Sequence, residues 1–387
     1  MRITAIRQKT VSLKSPMRNA GLGYDEMTGS LVAMVTDVVR SGRPVIGYGF
    51  DSIGRYGHGG LAQERFIPRL LAAPAAALLR DDGANFDPAK ALAVMMKNEK
   101  PGGHGERAGA VGLLDMALWD AAAKIAGLPL WQYLADLYCG GTAQRRVWTY
   151  GSGGHYYPGE GIDALLDELK RYRDLGFTHL KMKVGGATLA DDLKRLEAGV
   201  KLLGQPSQMS VDATAGWDAT TAHLYLKALS PLGLAWIEEP TDPLDFALQA
   251  ELCRTYAQPF ATGENLVSMP DARNMILHGG LRHDRDWIQV DVPIAYGLVE
   301  YLRLIGWMET NGWSRKRLIP HAGHLFALNV AAGLGLGGYE SAPNPEQIFG
   351  GFATGTKIED GYVIPPDHPG IGFEHKENLF ALMRDMA

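Results

Sequence analysis

Residues 179–184 read His179-Leu180-Lys181-Met182-Lys183-Val184. In an extended strand, alternate side chains point to opposite faces. Leu180, Met182 and Val184 therefore share one face, and Lys181 and Lys183 share the other. The apolar face packs under helices, so the lysine face turns toward the interior of the sheet, where unpaired ammonium groups are costly. Acceptors have to come from elsewhere, and they recur at a near-constant interval. Asp212, Glu238 and Glu264 are 26 and 26 residues apart, Asp291 follows 27 residues later, and His321 another 30. Each stands at or just past the end of a short apolar run. The strand candidates are 147–150, 179–184, 209–211, 235–237, 260–262, 287–290, 317–320 and 336–339. Helical patterns separate them at 160–174, 190–203, 218–229, 243–256, 270–278, 295–310 and 324–333. Eight strands alternating with helices predict parallel β/α units. No GxGxxG follows the first strand, so a dinucleotide-binding sheet is disfavoured. Eight units in series fit a TIM-like β/α barrel, whose strand ends all surround one mouth, the face where barrel enzymes work.

Upstream of this region the texture differs. The first sixty residues read as strands, with a hairpin formed by 31–39 and 45–50 around Ser41-Gly42-Arg43-Pro44. From 61 to 137 the pattern is helical. Leu113, Leu114, Ala117, Leu118, Ala121 and Ala122 recur at three- and four-residue spacing, and Gly127 and Pro129 stop that helix. The expected organisation is an α+β module over 1–140 and a barrel over 141–351. The tail, 352–387, is expected to pack back on the first module. The 387 residues carry 38 Lys and Arg against 43 Asp and Glu, a net charge of −5 with no basic cluster, which excludes a nucleic-acid footprint. No uncharged apolar run approaches the ~18 residues of a membrane span. The opening residues, Met1 to Arg7, lack the apolar core of a secretion signal. The two cysteines, Cys139 and Cys253, form no CxxC and no zinc spacing. A cytoplasmic protein acting on small molecules is expected.

The strand-end residues suggest a chemistry. One acid at a strand-to-helix turn is more often a helix N-cap than a ligand. Three on consecutive strands repel one another unless a cation sits between them, and three hard carboxylates suit Mg²⁺. A strand-end histidine is more often structural, but Asp291 on the neighbouring strand gives His321 a carboxylate to fix its tautomer and raise its basicity. Lys181 lies roughly 6–7 Å from Lys183 along the strand. At an effective dielectric of ~20 that like charge is worth about 2–3 kcal/mol, which predicts a lowered Lys183 pKa and a plausible base. Lys181 stays charged against a substrate carboxylate. A metal and a fixed ammonium suit the dianionic enediolate formed when a proton is removed next to a carboxylate. Glu340 ends the last strand. The glycine-rich stretch 102–107 lacks the GK[ST] of a phosphate loop and reads as a capping loop beside Lys100.

This set resembles the enolase superfamily, in its mandelate racemase-like subgroup. The resemblance rests on Leu114-Asp115-Met116-Ala117-Leu118-Trp119-Asp120 with Lys124, Gly127 and Pro129, on Lys181-Met182-Lys183, and on Asp212, Glu238, Glu264, Asp291, His321 and Glu340. It implies a (β/α)₇β barrel with an α+β N-terminal capping domain completed by the C-terminal tail, in a homo-oligomer. Within the subgroup, the stretches 15–20, 98–107 and 319–324, with Gly263-Glu264-Asn265, are similar to D-tartrate dehydratases. That similarity implies Mg²⁺ on Asp212, Glu238 and Glu264, Lys183 as the α-proton base and His321 as the acid for the departing hydroxyl. It implies Asn19 and Lys100 reaching the distal end of a diacid, with Lys181, His321 and Glu340 also contacting substrate. Ile53 and Thr214 depart from the tartrate pattern, where asparagines stand, so a different acid sugar remains open as substrate. The rival readings are a racemase or epimerase on the same scaffold and a binding protein that retains the barrel.

Overall fold

A computed structural model describes residues 1–52, 57–344 and 347–386. Strands β1 (Ile3–Ser12), β2 (Thr28–Arg40) and β3 (Arg43–Phe50) form an antiparallel sheet in that order. The run Leu31 to Met34 is fully buried on both sides of the sheet. Helix α1 (Glu106–Ala126) covers this sheet. It is apolar almost all round because it is buried almost all round. One side meets β3, where a Cβ on Gly47 would sit 1.9 Å from the Ala117 carbonyl oxygen. The other side meets the barrel. A Cβ on Gly112 would sit 1.6 Å from the Pro293 carbonyl oxygen, and Asp115 Oδ2 accepts the Leu298 amide at 2.6 Å. Glycine at 112 is thus the condition for α1 to reach the segment that follows Asp291.

The second unit is an α/β barrel. Strands β4 (Val147–Gly153), β5 (Leu180–Lys183), β6 (Met209–Asp212), β7 (Ile237–Glu238), β8 (Phe260–Thr262) and β9 (Trp287–Ile288) pair in parallel in chain order. Strand β10 (Tyr339–Ser341) pairs in parallel with β4. The helices α2 (Ile162–Asp174), α3 (Leu189–Leu203), α4 (Ala219–Leu229), α5 (Phe246–Thr255), α6 (Met269–His278), α7 (Leu298–Thr310) and α8 (Leu325–Leu334) alternate with the strands. All seven match the helical segments expected from the sequence. Leu180, Met182 and Val184 pack under these helices, as the alternation of residues 179–184 requires.

Three expectations need correction. The strand expected at 317–320 is not a regular ladder. Arg315–Arg317 forms a 3₁₀ turn, and the extended residues after it make a single parallel bridge, Ile288 to Leu318. Ile319 donates to the Ile288 carbonyl at 3.0 Å, but Pro320 has no amide hydrogen with which to continue. The last strand also begins later than expected, at Tyr339. The tail divides between the two units. Its strands β11 (Ile358–Glu359) and β12 (Tyr362–Val363) form a hairpin, and β12 runs antiparallel to β4, extending the barrel sheet. Beyond it the tail packs on the first module. There Ile371 donates to Asp120 Oδ1 at 2.7 Å, Glu374 pairs with Lys124, and the Met386 carbonyl accepts Arg7 at 2.8 Å. Among the described residues no helix is long and apolar enough to cross a membrane.

The edge of the first module that faces the barrel is fixed by buried charge. Asp51, next after β3, bonds the Ser30 amide at 2.9 Å and His58 Nδ1 at 3.0 Å. His58 Nε2 lies 2.7 Å from Glu106 in the first turn of α1. Burial alone would lower the His58 pKa, but its hydrogen bonds to Asp51 and Glu106 prevail and raise it to about 9. A folded-state pKa above the unfolded value of ~6.5 stabilises the fold fully below that value. The contribution is lost as pH rises through about 9. The stability difference between wild type and His58→Gln, from urea unfolding, should shrink by about 3 kcal/mol between pH 6 and pH 9.5. A difference that stays constant over that range contradicts the assignment.

Candidate active site

The strand register brings distant acids to one level. Lys183 is the Cα partner of Asp212, and Asp212 is the Cα partner of Glu238. Glu264 follows two residues past β8. One carboxylate oxygen from each of Asp212, Glu238 and Glu264 lies within 4.8 Å of the other two. All three residues are buried. The remaining oxygens are held in place: the Thr214 amide donates to Asp212 Oδ1 at 2.8 Å, and Trp236 Nε1 donates to Glu238 Oε2 at 2.9 Å. Burial pushes the Glu238 carboxyl up to about 8; Lys181 opposes the rise, and Asp212, Glu340 and Glu264 add to it. The donor set, three hard anionic oxygens facing one point, fits a small divalent cation.

Lys181 is fully buried. Its Nζ pairs with Glu238, lies 2.8 Å from Glu340 Oε1 and 3.4 Å from Asp212 Oδ2. Lys183 Nζ donates to Asp212 Oδ2. The expected lowering of the Lys183 pKa is therefore reversed. Burial and Lys181 both pull it down, but Asp212 across the strand pair holds it above the usual lysine range. The sequence shows the like charge two residues away and hides the opposite charge on the next strand.

His321 stands across the mouth from the lysines. Its Nδ1 is 3.1 Å from Asp291 Oδ2, and its Nε2 is 3.1 Å from Glu264 Oε2 and 4.0 Å from Glu340 Oε2. Burial disfavours the imidazolium, but Glu264, Glu340 and Asp291 outweigh it and raise the pKa well above the ordinary value. Glu340 links the two sides. Its Oε1 meets Lys181 and its Oε2 accepts the Ala322 amide at 3.1 Å. Burial resists, yet Lys181 and His321 pull its carboxyl down to about 2.

Five of these groups border one cavity of about 200 Å³. Lys183, Glu264, Asp291, His321 and Glu340 face it from the barrel, and Asn19 and Tyr24 from the first module. Lys181, Asp212 and Glu238 are fully buried and do not line it. Asn19 reaches the cavity with its amide partly engaged. Its Oδ1 accepts from the Gly21 and Leu22 amides, and its Nδ2 is 3.3 Å from the Tyr24 hydroxyl. Thr214 also lines the cavity. Ile53 lies outside the described residues.

Lys100 is not brought to this site. It is exposed and borders a separate cavity with His104, Arg107 and Tyr296. The cause is the arginine network on its neighbour. Glu99 meets Arg65, Arg69 and Arg107, and Arg107 also holds the Lys100 carbonyl at 2.9 Å. The sequence reading missed Ser152, Tyr24 and His155. Ser152 was accessible to the strand-end argument, since it lies just past the apolar run 147–150. Tyr24 sits in a loop of the first module and carries no periodic signal. His155 is held neutral, its pKa lowered to about 3 by burial and by the Lys183 charge.

The chain matches the enolase C-terminal domain-like family over residues 164–379. L-talarate/galactarate dehydratase of Salmonella typhimurium is 31% identical over 271 residues, covering 69% of this chain and 63% of that protein. The match thus spans less than two thirds of that relative. Arabinonate dehydratase of Saccharolobus solfataricus is 28% identical over 275 residues, 69% of this chain and 70% of the relative. A racemase from Streptomyces coelicolor A3(2), solved with bound magnesium, superposes with a TM-score of 0.79 at 25% identity, covering 97% of this chain and 99% of the other. With the family match spanning more than half of its length, the chain belongs to the enolase superfamily.

Proposed function

We propose that the protein is a Mg²⁺-dependent acid-sugar dehydratase that removes the proton α to a carboxylate and eliminates the β-hydroxyl to give a 2-keto acid. The observation that carries this reading is that Lys183, from β5, and His321, from the segment after the Leu318 bridge, line one cavity beside three carboxylates within 4.8 Å of each other. Two relatives named as acid-sugar dehydratases support it. A divalent cation held by Asp212, Glu238 and Glu264 would take up the negative charge that keeps Lys183 protonated and would stabilise the enediolate oxygens. Lys183 Nζ then receives the α-proton. Lys181, fully buried and anchored by Glu238 and Glu340, does not line the cavity and would act on the developing negative charge through the field rather than by contact. His321, oriented by Asp291 through Nδ1, delivers the proton on Nε2 to the β-hydroxyl, which leaves as water. The enol that remains tautomerises to the 2-keto acid.

The cavity of about 200 Å³ suits a short acid. D-tartrate, giving oxaloacetate, is the substrate we propose to test first, with related sugar acids and diacids beside it. Asn19, Tyr24 and His155 offer neutral polar groups toward the distal end. Among the described lining residues, no cation other than Lys183 and His321 faces a second carboxylate.

Lys183→Ala should lower keto-acid formation by roughly 10²–10⁴-fold, the range of a positioned base. Its Mg²⁺ affinity by calorimetry should be no weaker than wild type, because Asp212 keeps its carboxylate. Turnover near the wild-type rate would show that Lys183 is not the base.

Racemisation or epimerisation is the second reading, and the same opposed pair favours it, since one group removes a proton from one face and the other returns it to the opposite face. Turnover in D₂O separates the two. Dehydration predicts a keto acid carrying solvent deuterium at C3. Deuterium at C2 of an inverted hydroxy acid, with no keto acid, would establish the second reading instead.

A further inference from the structure

Asp291 has a partner that the chemistry above does not use. Ser52 Oγ donates to Asp291 Oδ2 at 2.6 Å, across 239 residues of chain. That oxygen is also the one 3.1 Å from His321 Nδ1. Asp291 Oδ1 accepts no hydrogen bond among the described residues. Ser52 and Asp291 are each 1% exposed, so water does not compete for either. The three side chains form a chain, Ser52 to Asp291 to His321, that begins buried in the first module and ends at the half-buried His321 in the cavity.

The backbone holds Ser52 in this position at a cost. Its φ is +64°, a region that residues with a Cβ seldom occupy. Asp51, immediately before it, is tied to the Ser30 amide and to His58. A strained residue locked by a neighbour and aimed at a catalytic carboxylate suggests that the hydroxyl is the reason for the strain. A short O–H to carboxylate bond is strong and directional. It stops the Asp291 carboxylate from rotating about its own axis. It also uses a lone pair that would otherwise draw the proton from Nδ1. Both effects fix the imidazole plane, with Nε2 toward the cavity.

We propose that Ser52 is a positioning residue for the general-acid step, locking Asp291 so that His321 presents Nε2–H to the departing hydroxyl. Docking of the first module thereby completes the acid arm of the site, while the Lys183 arm is built by the barrel alone. The inference rests on the roles proposed for Lys183 and His321.

The test uses the full-length protein with Mg²⁺ and Ser52→Gly, which removes the hydroxyl and relaxes the positive φ. Its thermal midpoint should stay well above the assay temperature, which excludes unfolding as the cause of any loss. Its kcat should fall about 10–100-fold, as expected when a reacting group is displaced slightly. KM should stay within about 3-fold, because Ser52 does not touch substrate. Deuterium exchange at C2 per elimination should rise, since Lys183 still removes the α-proton. In a His321→Gln background, Ser52→Gly should cost less than about 2-fold more, because the residue acts through the imidazole. A wild-type kcat, an unchanged exchange-to-elimination ratio, or a full additional loss in the His321→Gln background would overturn the proposal.

A readout independent of turnover is the ring signal of His321 in ¹⁵N-histidine-labelled protein, assigned by its loss in His321→Gln. Its Nδ1–H proton should be slow to exchange in wild type and should broaden or vanish in Ser52→Gly. An unchanged signal would also overturn the proposal. Turnover that needs Lys183 and His321 but not Ser52 removes this inference alone. Turnover that needs neither Lys183 nor His321 removes the dehydratase reading beneath it.

Discussion

Three buried carboxylates within 4.8 Å of one another, with a fourth at Glu340, form a concentration of negative charge that an apolar interior does not tolerate alone. Lys181 and Lys183 supply two positive charges and His321 a third. Each base is held protonated by the acids around it. The balance is local: burial raises the Glu238 carboxyl, while the neighbouring cations lower Glu340. A divalent cation would have a definite place, the point that Asp212, Glu238 and Glu264 share. In the proposed reaction, proton transfer, substrate orientation and metal affinity would all depend on that one electrostatic centre.

The fold supplies the centre through register. Parallel pairing puts Lys183, Asp212 and Glu238 at one level of adjacent strands. The apolar residues between them go under the helices. The first module adds the rim and, through Ser52, a contact with the dyad. Its long helix touches the segment after Asp291 closely enough that only glycine fits at 112. Rim and floor are therefore not independent: a shift of α1 would displace Pro293, two residues from the carboxylate that orients His321.

Much of this was legible in the sequence. The alternation in 179–184 set the faces of the strand, and the near-constant spacing of acids set the ring. Both are one-dimensional signals of a periodic architecture. What the sequence hid is contact across strands and between modules. The like charge of Lys181 predicts a lowered Lys183 pKa, but Asp212, 29 residues away, is the charge that Lys183 meets. Lys100 was placed at the site on a resemblance of loops, but the loop position is set by Glu99 and three arginines that carry no periodic mark. The strand at 317–320 looked regular because apolar runs are read without regard to Pro320, which cannot donate to a ladder. Ser52 follows a β-strand like any turn residue, and nothing in the sequence links it to Asp291.

The most direct measurement is an anomalous difference map from crystals of the protein soaked in Mn²⁺, which substitutes for Mg²⁺ in oxygen-ligand sites. The account predicts one strong peak about 2.1 Å from an oxygen of each of Asp212, Glu238 and Glu264. A map with no peak there, or with a peak held by fewer than all three, would contradict the claim on which the chemistry stands.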